Sequence, residues 1–148
     1  MRSWIARVLL GIGLGVAGVG RAASAEPGAL RASKPEVKQE IVVVIEAQLA
    51  AWRKNDLAKA YSFAAAELRG QKPLREFTAI VEANYPEIRA STRAEFGIVR
   101  DDGSRATVTV QVYAKNGDAA YHYTLVKERA GWRIYGVVRH VPKPGGKI

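Results

Sequence analysis

The chain has 148 residues, of which 48% are hydrophobic and 25% charged, and its formal net charge is +9 at pH 7. This length and composition are typical of one globular domain with a single hydrophobic core. The absence of cysteine excludes disulfide bonds, thiolate chemistry and cysteine-based zinc sites. Only two histidines, His122 and His140, are present, so an all-histidine metal site is nearly excluded. The sequence therefore predicts neither a metal site nor a cofactor.

Residues 1–25 have the features of a secretory signal peptide. A basic start precedes an apolar run over residues 8–20, and residues 23–25 are small where a signal peptidase cleaves. The apolar run is short for a transmembrane helix. We therefore expect cleavage after Ala25 and a periplasmic or secreted protein without a stable membrane anchor. Arg21 inside the cleavage region leaves an uncleaved N-terminal anchor as the alternative.

Removal of the signal peptide takes away three arginines, so 20 basic and 14 acidic side chains remain and the net charge is +6. These basic residues are spread along the chain rather than clustered with aromatic residues, as a nucleic-acid surface requires. The sequence predicts no nucleic-acid partner. The excess charge favours solubility and a mild attraction to anionic envelope surfaces.

A small, polar and aperiodic leader at residues 26–34 precedes the first helix and is expected to be flexible. Pro35 suits the first turn of a helix, and apolar residues then recur at three- and four-residue steps as far as Trp52. Arg53 and Lys54 lie late in this segment, which complements the helix dipole. The pattern predicts one amphipathic helix of about 18 residues.

Two further helices follow in the sequence. We interpret Asp56 as the N-cap of the second helix rather than as a catalytic acid, because a short acid directly before a periodic helix is a common capping arrangement. This alanine-rich helix is expected to end near Gly70. Pro73 opens a third helix in the first-turn position, and that helix ends at Tyr85 because the residue before Pro86 avoids helical backbone angles.

Residues 93–141 predict four consecutive antiparallel strands, since β-branched and aromatic residues alternate with polar ones between turn signals. The tight turns are expected at Asp101-Asp102-Gly103, Asn116-Gly117 and Ala130-Gly131. A two-residue Asn-Gly loop is the preferred hairpin connection because both positions tolerate positive φ. These turns set the register of the strands, and the register decides which side chains share a face.

The predicted register gives the sheet one apolar inner face. The expected opposite pairs are Phe96 and Val108, Ile98 and Ala106, Val112 and Tyr121, and Tyr123 and Val138. The expected inner residues are Phe96, Ile98, Ala106, Val108, Val110, Val112, Tyr121, Tyr123, Leu125, Trp132, Ile134 and Val138. This face must pack on the three amphipathic helices.

The predicted fold class is α+β, with three N-terminal helices packed on a strongly curved four-stranded antiparallel sheet. Such a sheet, wrapped on helices, makes a cone with a cavity at its open end. The domain is expected to cover residues 35–141, and the tail at residues 142–148 has no reason to be ordered.

Two short segments carry a family resemblance: residues 51–56 read AWRKND and residues 130–134 read AGWRI. Together with the order of elements, they resemble the cone-shaped nuclear-transport-factor-2-like (cystatin-like) superfamily, which includes ketosteroid isomerases, scytalone dehydratase and SnoaL-like cyclases. With the Tyr85-Pro86 break, the chain from Glu36 to Arg139 is similar to a family of secreted bacterial proteins known as a domain of unknown function.

The resemblance implies that an enzyme would carry a carboxylate or histidine base inside the cone, facing an oxyanion donor. The expected inner face contains no Asp, Glu or His, and His122 is expected on the outer face. Proton abstraction of the isomerase type therefore lacks its base. No catalytic residue is carried over to this chain.

Six polar or aromatic side chains could line a pocket for a small apolar ligand, because they offer hydroxyl, amide and indole groups. They are Gln48, Trp52, Tyr61, Tyr85, Tyr121 and Tyr123. The alternative for each is that it fills the core with its polar tip near solvent.

The outer face of the predicted sheet combines an apolar centre with a polar, arginine-bearing rim, as an association surface does. Its candidate contact residues are Tyr113, His122, Val126, Tyr135, Val137 and Arg139. The resemblance implies a homodimer through this face, since members of the superfamily often dimerise there. A face covered by the C-terminal tail, or left open to water, is the alternative.

Two classes of function follow from the sequence. The first is a non-catalytic periplasmic module that binds a small apolar ligand or a protein partner. The second is an isomerase, dehydratase or cyclase type of enzyme with an atypical site of tyrosines and His122 in the cone. The absence of an ionisable pair on the inner face favours the first.

Overall fold

The computed structural model describes residues 29–140. The predicted signal peptide and C-terminal tail lie outside the described residues. Within them, the fold is α+β, as predicted, with five helices and an antiparallel sheet of six strands that is not closed. No helix in this part of the chain is long and apolar enough to cross a membrane.

The helices are α1 (Pro35–Arg53), α2 (Leu57–Ser62), α3 (Ala66–Gln71), α4 (Leu74–Asn84) and α5 (Pro86–Arg89). The strands are β1 (Arg31–Ala32), β2 (Ser91–Phe96), β3 (Arg100–Asp101), β4 (Arg105–Ala114), β5 (Gly117–Glu128) and β6 (Gly131–Arg139). The strand order is β1-β3-β4-β5-β6, and β2 also pairs with β4.

The first predicted helix is confirmed as α1, which starts at Pro35 in the first turn. Ile41, Ile45, Leu49 and Trp52 recur at three- and four-residue steps and are all buried. They give α1 one apolar stripe, and this stripe packs in the core between the other helices and the inner face of the sheet.

The second predicted helix is interrupted, and the structure corrects it to α2 and α3. Between them, the Ala65 amide donates to the Ile134 carbonyl at 2.8 Å, and the Ile134 amide donates to the Phe63 carbonyl at 2.9 Å. The segment thus pairs with the edge strand β6, whose free backbone groups need partners. Asp56 is confirmed as the cap of α2, since its carboxylate accepts from the Lys59 amide at 3.2 Å.

The third predicted helix is confirmed as α4, and the break at Tyr85-Pro86 is confirmed as well. After the break, the chain forms one more helical turn, α5, which brings Glu87 and Arg89 against the rest of the fold.

The leader expected to be flexible is partly built into the sheet, because Arg31 and Ala32 form β1 and pair with β3. The Ser33 hydroxyl donates to the Asp101 carboxylate at 2.5 Å, and the Ser33 amide donates to the Val99 carbonyl at 2.8 Å. The prediction was wrong for these residues because short strand pairing at an edge leaves no periodic signal in a polar segment.

The first predicted strand is divided into β2 and β3, and its register differs from the predicted one. Phe96 pairs with Val110 rather than with Val108. After Gly97 the alternation is broken, so Ile98 is 63% exposed and Val99 is 2% exposed. The prediction that Ile98 faces inward is therefore wrong, and Val99 takes its place in the core.

The turn between β4 and β5 lies one residue earlier than predicted, at Lys115 and Asn116, and Ala114 pairs with Gly117. Within this hairpin turn, only Gly117 has a positive φ, and its value is 141°. Tyr121 consequently pairs with Val110 rather than with Val112, as the prediction had it. A shift of two residues keeps every side chain on its face, so the alternation of buried and outward residues on β4 and β5 is confirmed.

The last hairpin also turns one residue earlier, with Glu128 paired to Gly131, and β6 contains a register shift opposite Thr124 and Leu125. Leu125 pairs with Ile134 and Thr124 pairs with Gly136, so Tyr135 is an extra residue on β6. A bulge of one residue exchanges the two faces beyond it. Val137 and Arg139 therefore face inward, and Val138 lies outward opposite His122, which reverses the prediction.

Candidate functional site

A cavity of about 40 Å³ lies between the helices and the bulged half of β6. Its lining is almost entirely apolar and consists of Gln48, Trp52, Ala64, Leu68, Phe77, Val81, Tyr85, Ile88, Ile134, Gly136 and Val137. Each helix except α2 contributes at least one of these residues. The packing of short helices against the bulged strand therefore positions the cavity.

Three of the six predicted pocket residues, Gln48, Trp52 and Tyr85, line this cavity. The other three do not. The Tyr61 hydroxyl donates to the carbonyls of Arg69 and Lys72, at 3.0 and 2.7 Å, so it fixes the end of α3. Tyr121 and Tyr123 are buried on the inner face of β5, beyond the lining of the cavity.

The polar groups at the cavity are already paired within the protein. The Gln48 side-chain amide donates to the Ala60 carbonyl at 3.0 Å, and the Tyr85 hydroxyl donates to the Val137 carbonyl at 3.0 Å. Burial raises the pKa of Tyr85 to about 12. Neither group is therefore a base near neutral pH, and the cavity presents a hydrocarbon surface to anything inside it.

A carboxylate that the sequence did not reveal lies close by, on α5. The Tyr121 hydroxyl donates to Glu87 Oε1 at 2.5 Å, and the Arg139 guanidinium donates to both Glu87 oxygens, at 2.8 and 3.1 Å. Arg139 also donates to the Tyr121 hydroxyl oxygen at 2.8 Å. We call this group the Glu87 cluster; it joins α5 to the ends of β5 and β6.

The electrostatics of the Glu87 cluster keep its carboxylate ionised. The hydrogen bond from Arg139 lowers the pKa of Glu87 to about 2, against the opposing effect of burial, and the Tyr121 hydroxyl lowers it further. Burial and the neighbouring Glu87 carboxylate raise the pKa of Tyr121 well above its usual range. A carboxylate with this pKa accepts a proton poorly, so Glu87 is a structural anion rather than a general base.

Glu87 was missed because the inner face was derived from the strands alone. The available signal was Pro86 followed by an acid and then Arg89, which is typical of a short helical turn with acid early and base late. Arg139 was predicted on the outer face, and its inward position was missed because the bulge at Tyr135, which turns it inward, depends on pairing with β5.

The Tyr123 side chain is fully buried, and among residues 29–140 its hydroxyl has no hydrogen-bond partner. Burial raises its pKa well above the usual range, and the nearby Tyr121 and Tyr85 hydroxyls raise it further. Tyr123 pairs across the strands with Val137, which lines the cavity. An unsatisfied buried hydroxyl of this kind is uncommon in folded proteins, and it lies next to the cavity lining rather than in it.

The six residues predicted to form a dimer interface do not share one surface. Tyr113, His122 and Val126 lie on the outer face. Tyr135 is only 8% exposed, because it sits in the bulge and its hydroxyl meets the Glu67 carboxylate of α3. Val137 and Arg139 lie on the inner side, so only three of the six residues share the outer face.

The outer face carries the only two histidines of the chain. His122 Nε2 lies 2.8 Å from His140 Nδ1, and His122 Nδ1 lies 2.7 Å from the Thr109 hydroxyl. Partial desolvation and the charge of His140 lower the pKa of His122. The predicted outward position of His122 is confirmed, and no histidine enters the cavity. Among the described residues, no group of three or more His, Cys, Asp or Glu side chains is placed to hold a metal ion.

The chain belongs to the family described as Domain of unknown function (DUF4864), whose model matches residues 34–145. The matched segment contains every helix found in residues 29–140 and the long strands, so the cavity and the Glu87 cluster both lie within the family domain. No curated protein and no solved structure matches the chain.

Proposed function

We propose that this protein is an exported, non-catalytic binding module of the nuclear-transport-factor-2-like superfamily, and that its cavity accepts a small apolar group. The helices that precede a long antiparallel sheet support the superfamily assignment. The signal-like composition of residues 1–25 supports export.

The apolar lining of the cavity carries this proposal. Apart from the paired groups of Gln48 and Tyr85, the cavity offers hydrocarbon and aromatic surface, which suits an apolar guest. Catalysis of the isomerase kind would need a base at the guest. Glu87, the carboxylate next to the lining residue Ile88, has a pKa of about 2 and is held by Arg139. An enzyme site made of tyrosines and His122 is not proposed, because His122 lies on the opposite face of the sheet.

The size of the cavity limits the guest. Room for one water molecule takes roughly 10–15 Å³, so about 40 Å³ holds only a few water-sized groups. A larger ligand would have to move the short helices α3 and α5. We therefore propose a small or slender apolar group as the guest.

Titration of the full-length chain with xenon, a small apolar probe that suits a cavity of this size, followed by NMR of the methyl groups, tests the proposal. We expect saturable shifts at Leu68, Val81 and Ile88, and we expect Ala64→Val to weaken them because the added methyls enter the cavity. Ala58→Val, at an exposed position of α2, is the matched control and should bind as the parent does. Absence of saturable shifts in the parent, or equal binding by Ala64→Val, would contradict the proposal.

Export is tested separately from binding. The mature protein, recovered from the producing cell, is expected to begin at Glu26 by mass spectrometry and to fractionate outside the cytoplasm. A cytoplasmic protein that retains Met1 would remove the export part and leave the binding part to the xenon titration.

A further inference from the structure

Two imidazole rings meet on the outer face of the sheet, away from the cavity. His122 lies on β5, His140 directly follows β6, and His122 Nε2 and His140 Nδ1 are 2.8 Å apart. The ring centroids are 4.6 Å apart and the ring planes are inclined by 86°. One nitrogen of each ring therefore faces the other, and both side chains are exposed to solvent.

The backbone ladder holds this pair in place. His122 lies opposite Val138, and the His140 amide donates to the Ala120 carbonyl at 2.8 Å, which continues the pairing of β5 and β6. Since residues two apart share a face, His122 and His140 are diagonal neighbours on the outer face. Ala120 contributes only a methyl group beside them.

A third residue orients the His122 ring. The Thr109 hydroxyl lies 2.7 Å from His122 Nδ1, opposite His122 in the register. When Nδ1 donates to this hydroxyl, the lone pair of Nε2 points toward His140. A histidine that ligates a metal through one ring nitrogen normally has its other ring nitrogen fixed in this way by an outer hydrogen-bond partner.

We propose that His122 and His140 together bind one divalent transition-metal ion, Zn²⁺ or Cu²⁺, through the two nitrogens that now share a hydrogen bond. The proton of that bond moves to Nε2 of His140, so each ring stays neutral with one proton on the nitrogen that faces away. Water completes the coordination, and Gln111, opposite Ala120 on β4, is a candidate oxygen ligand.

The distances allow this exchange with a small movement. Two nitrogens bound to one tetrahedral Zn²⁺ at about 2.0–2.1 Å lie about 3.3 Å apart, so the rings need to separate by about 0.5 Å. Thr109, Ala120 and Val138, which flank the pair in the ladder, carry no charge that would repel a cation.

Two protein nitrogens make an exchangeable site rather than a structural one, in keeping with the lack of a cluster of three or more ligands in the part of the chain described here. Imidazole favours Cu²⁺ over Zn²⁺, whereas Mg²⁺ and Ca²⁺ require oxygen ligands. The proposal therefore includes an order of affinity, with Cu²⁺ above Zn²⁺ and no measurable Mg²⁺ binding at this pair.

The test uses the full-length chain titrated with CuCl₂, ZnCl₂ and MgCl₂, with calorimetry for affinity and, for Zn²⁺, NMR of the histidine ring protons. The variants are His122→Gln and His140→Gln, which change exposed side chains and are expected to keep the fold, as circular dichroism checks. Glu36→Gln, an exposed carboxylate in the first turn of α1, is the matched control.

We expect one ion per chain, Zn²⁺-dependent shifts of both rings, and a loss of affinity of about tenfold or more in each glutamine variant. Glu36→Gln should bind as the parent does. No binding of Cu²⁺ or Zn²⁺ by the parent, parental affinity in either glutamine variant, shifts in one ring only, or equal binding of Mg²⁺ would each overturn the proposal.

Discussion

At the scale of single residues, two tyrosines on β5 have opposite environments although they are only two positions apart. The Tyr121 hydroxyl donates to Glu87 and accepts from Arg139, whereas the Tyr123 hydroxyl is buried without a partner among the described residues. A hydrogen bond to a charged group stabilises by about 1.5–3 kcal/mol, and an unsatisfied buried polar group costs about 1–3 kcal/mol. The two hydroxyls should therefore affect stability in opposite directions.

Removal of each hydroxyl tests this difference. We expect Tyr121→Phe to lower the free energy of unfolding by about 1–2 kcal/mol, because Glu87 and Arg139 lose a shared partner. We expect Tyr123→Phe to leave it unchanged or to raise it by up to about 1 kcal/mol, because no bond is lost. Urea unfolding measures both, and each variant is the control for the other. A Tyr123→Phe protein as destabilised as Tyr121→Phe would show that the Tyr123 hydroxyl has a partner, such as a buried water.

Glu87 makes stability depend on pH. Its pKa in the folded protein is about 2, below the ordinary value of 4.5, so the ionised form is favoured by folding. This contribution is complete above about pH 4.5 and is lost as the pH falls toward 2. We expect the free energy of unfolding to fall less steeply over this interval in Glu87→Gln than in the parent, as measured by urea unfolding at several pH values.

Arg139 provides the second arm of the same experiment. Since its hydrogen bond is the largest cause of the lowered pKa of Glu87, Arg139→Gln should also flatten the dependence on pH. In the double variant, the free energy of unfolding should depend on pH no less than it does in Glu87→Gln alone. A parental slope in Glu87→Gln would mean that other carboxylates dominate acid unfolding.

At the scale of elements, two glycines have different surroundings: Gly97 lies close to the backbone of a neighbouring strand, and Gly70 has open space around it. A Cβ at Gly97 would lie 3.2 Å from the Thr109 carbonyl oxygen, and that oxygen accepts from the Gly97 amide at 2.9 Å. The backbone of β4 therefore has little freedom to move away. A Cβ at Gly70, in α3, would meet no atom within 4 Å.

We expect Gly97→Ala to lower the free energy of unfolding by about 1–3 kcal/mol through overpacking at the junction of β2 and β3. Gly70→Ala should raise it by up to about 1 kcal/mol, because alanine is the better helix former. Thermal and urea unfolding compare the pair. Equal effects of the two substitutions would contradict the packing assigned to Gly97.

At the scale of the whole molecule, the outer face of the sheet is the surface through which we propose a homodimer. Val126 lies there between Arg105 and Arg133 in the register, and Tyr113 lies at the other end, opposite Asp118 and Arg93. A two-fold axis that reverses the strand direction would bring the arginine end of one copy toward Glu95 and Asp118 of the other. Such an interface is self-complementary in charge.

Light scattering of the full-length chain is expected to give twice the mass of one chain. Val126→Arg is expected to give a monomer, because it adds a third positive charge between Arg105 and Arg133. Val43→Arg, on the exposed side of α1, is the matched control and should stay dimeric. A monomeric parent protein would remove the dimer and leave the cavity and the histidine pair untouched.

Local patterns were sufficient to predict much of the fold. The apolar steps of α1, the Asp56 cap and the break at Tyr85-Pro86 are each set by residues within a few positions of one another. The alternation on β4 and β5 also predicted which residues are buried. That prediction is correct although the turn between β4 and β5 was predicted one residue too late. The error shifts the pairing by two positions, and a shift of two keeps every side chain on its face.

The candidate site depended on contacts that are distant in sequence. Only the pairing of β6 with β5 produces the bulge at Tyr135, which turns Val137 to the cavity and Arg139 to Glu87. Only the docking of α5 brings Glu87 there. The sequence by itself therefore determined the class of fold and the apolar faces, because periodicity is local. Tertiary structure decided which charges meet, because an extra residue on one strand is defined by its partner strand.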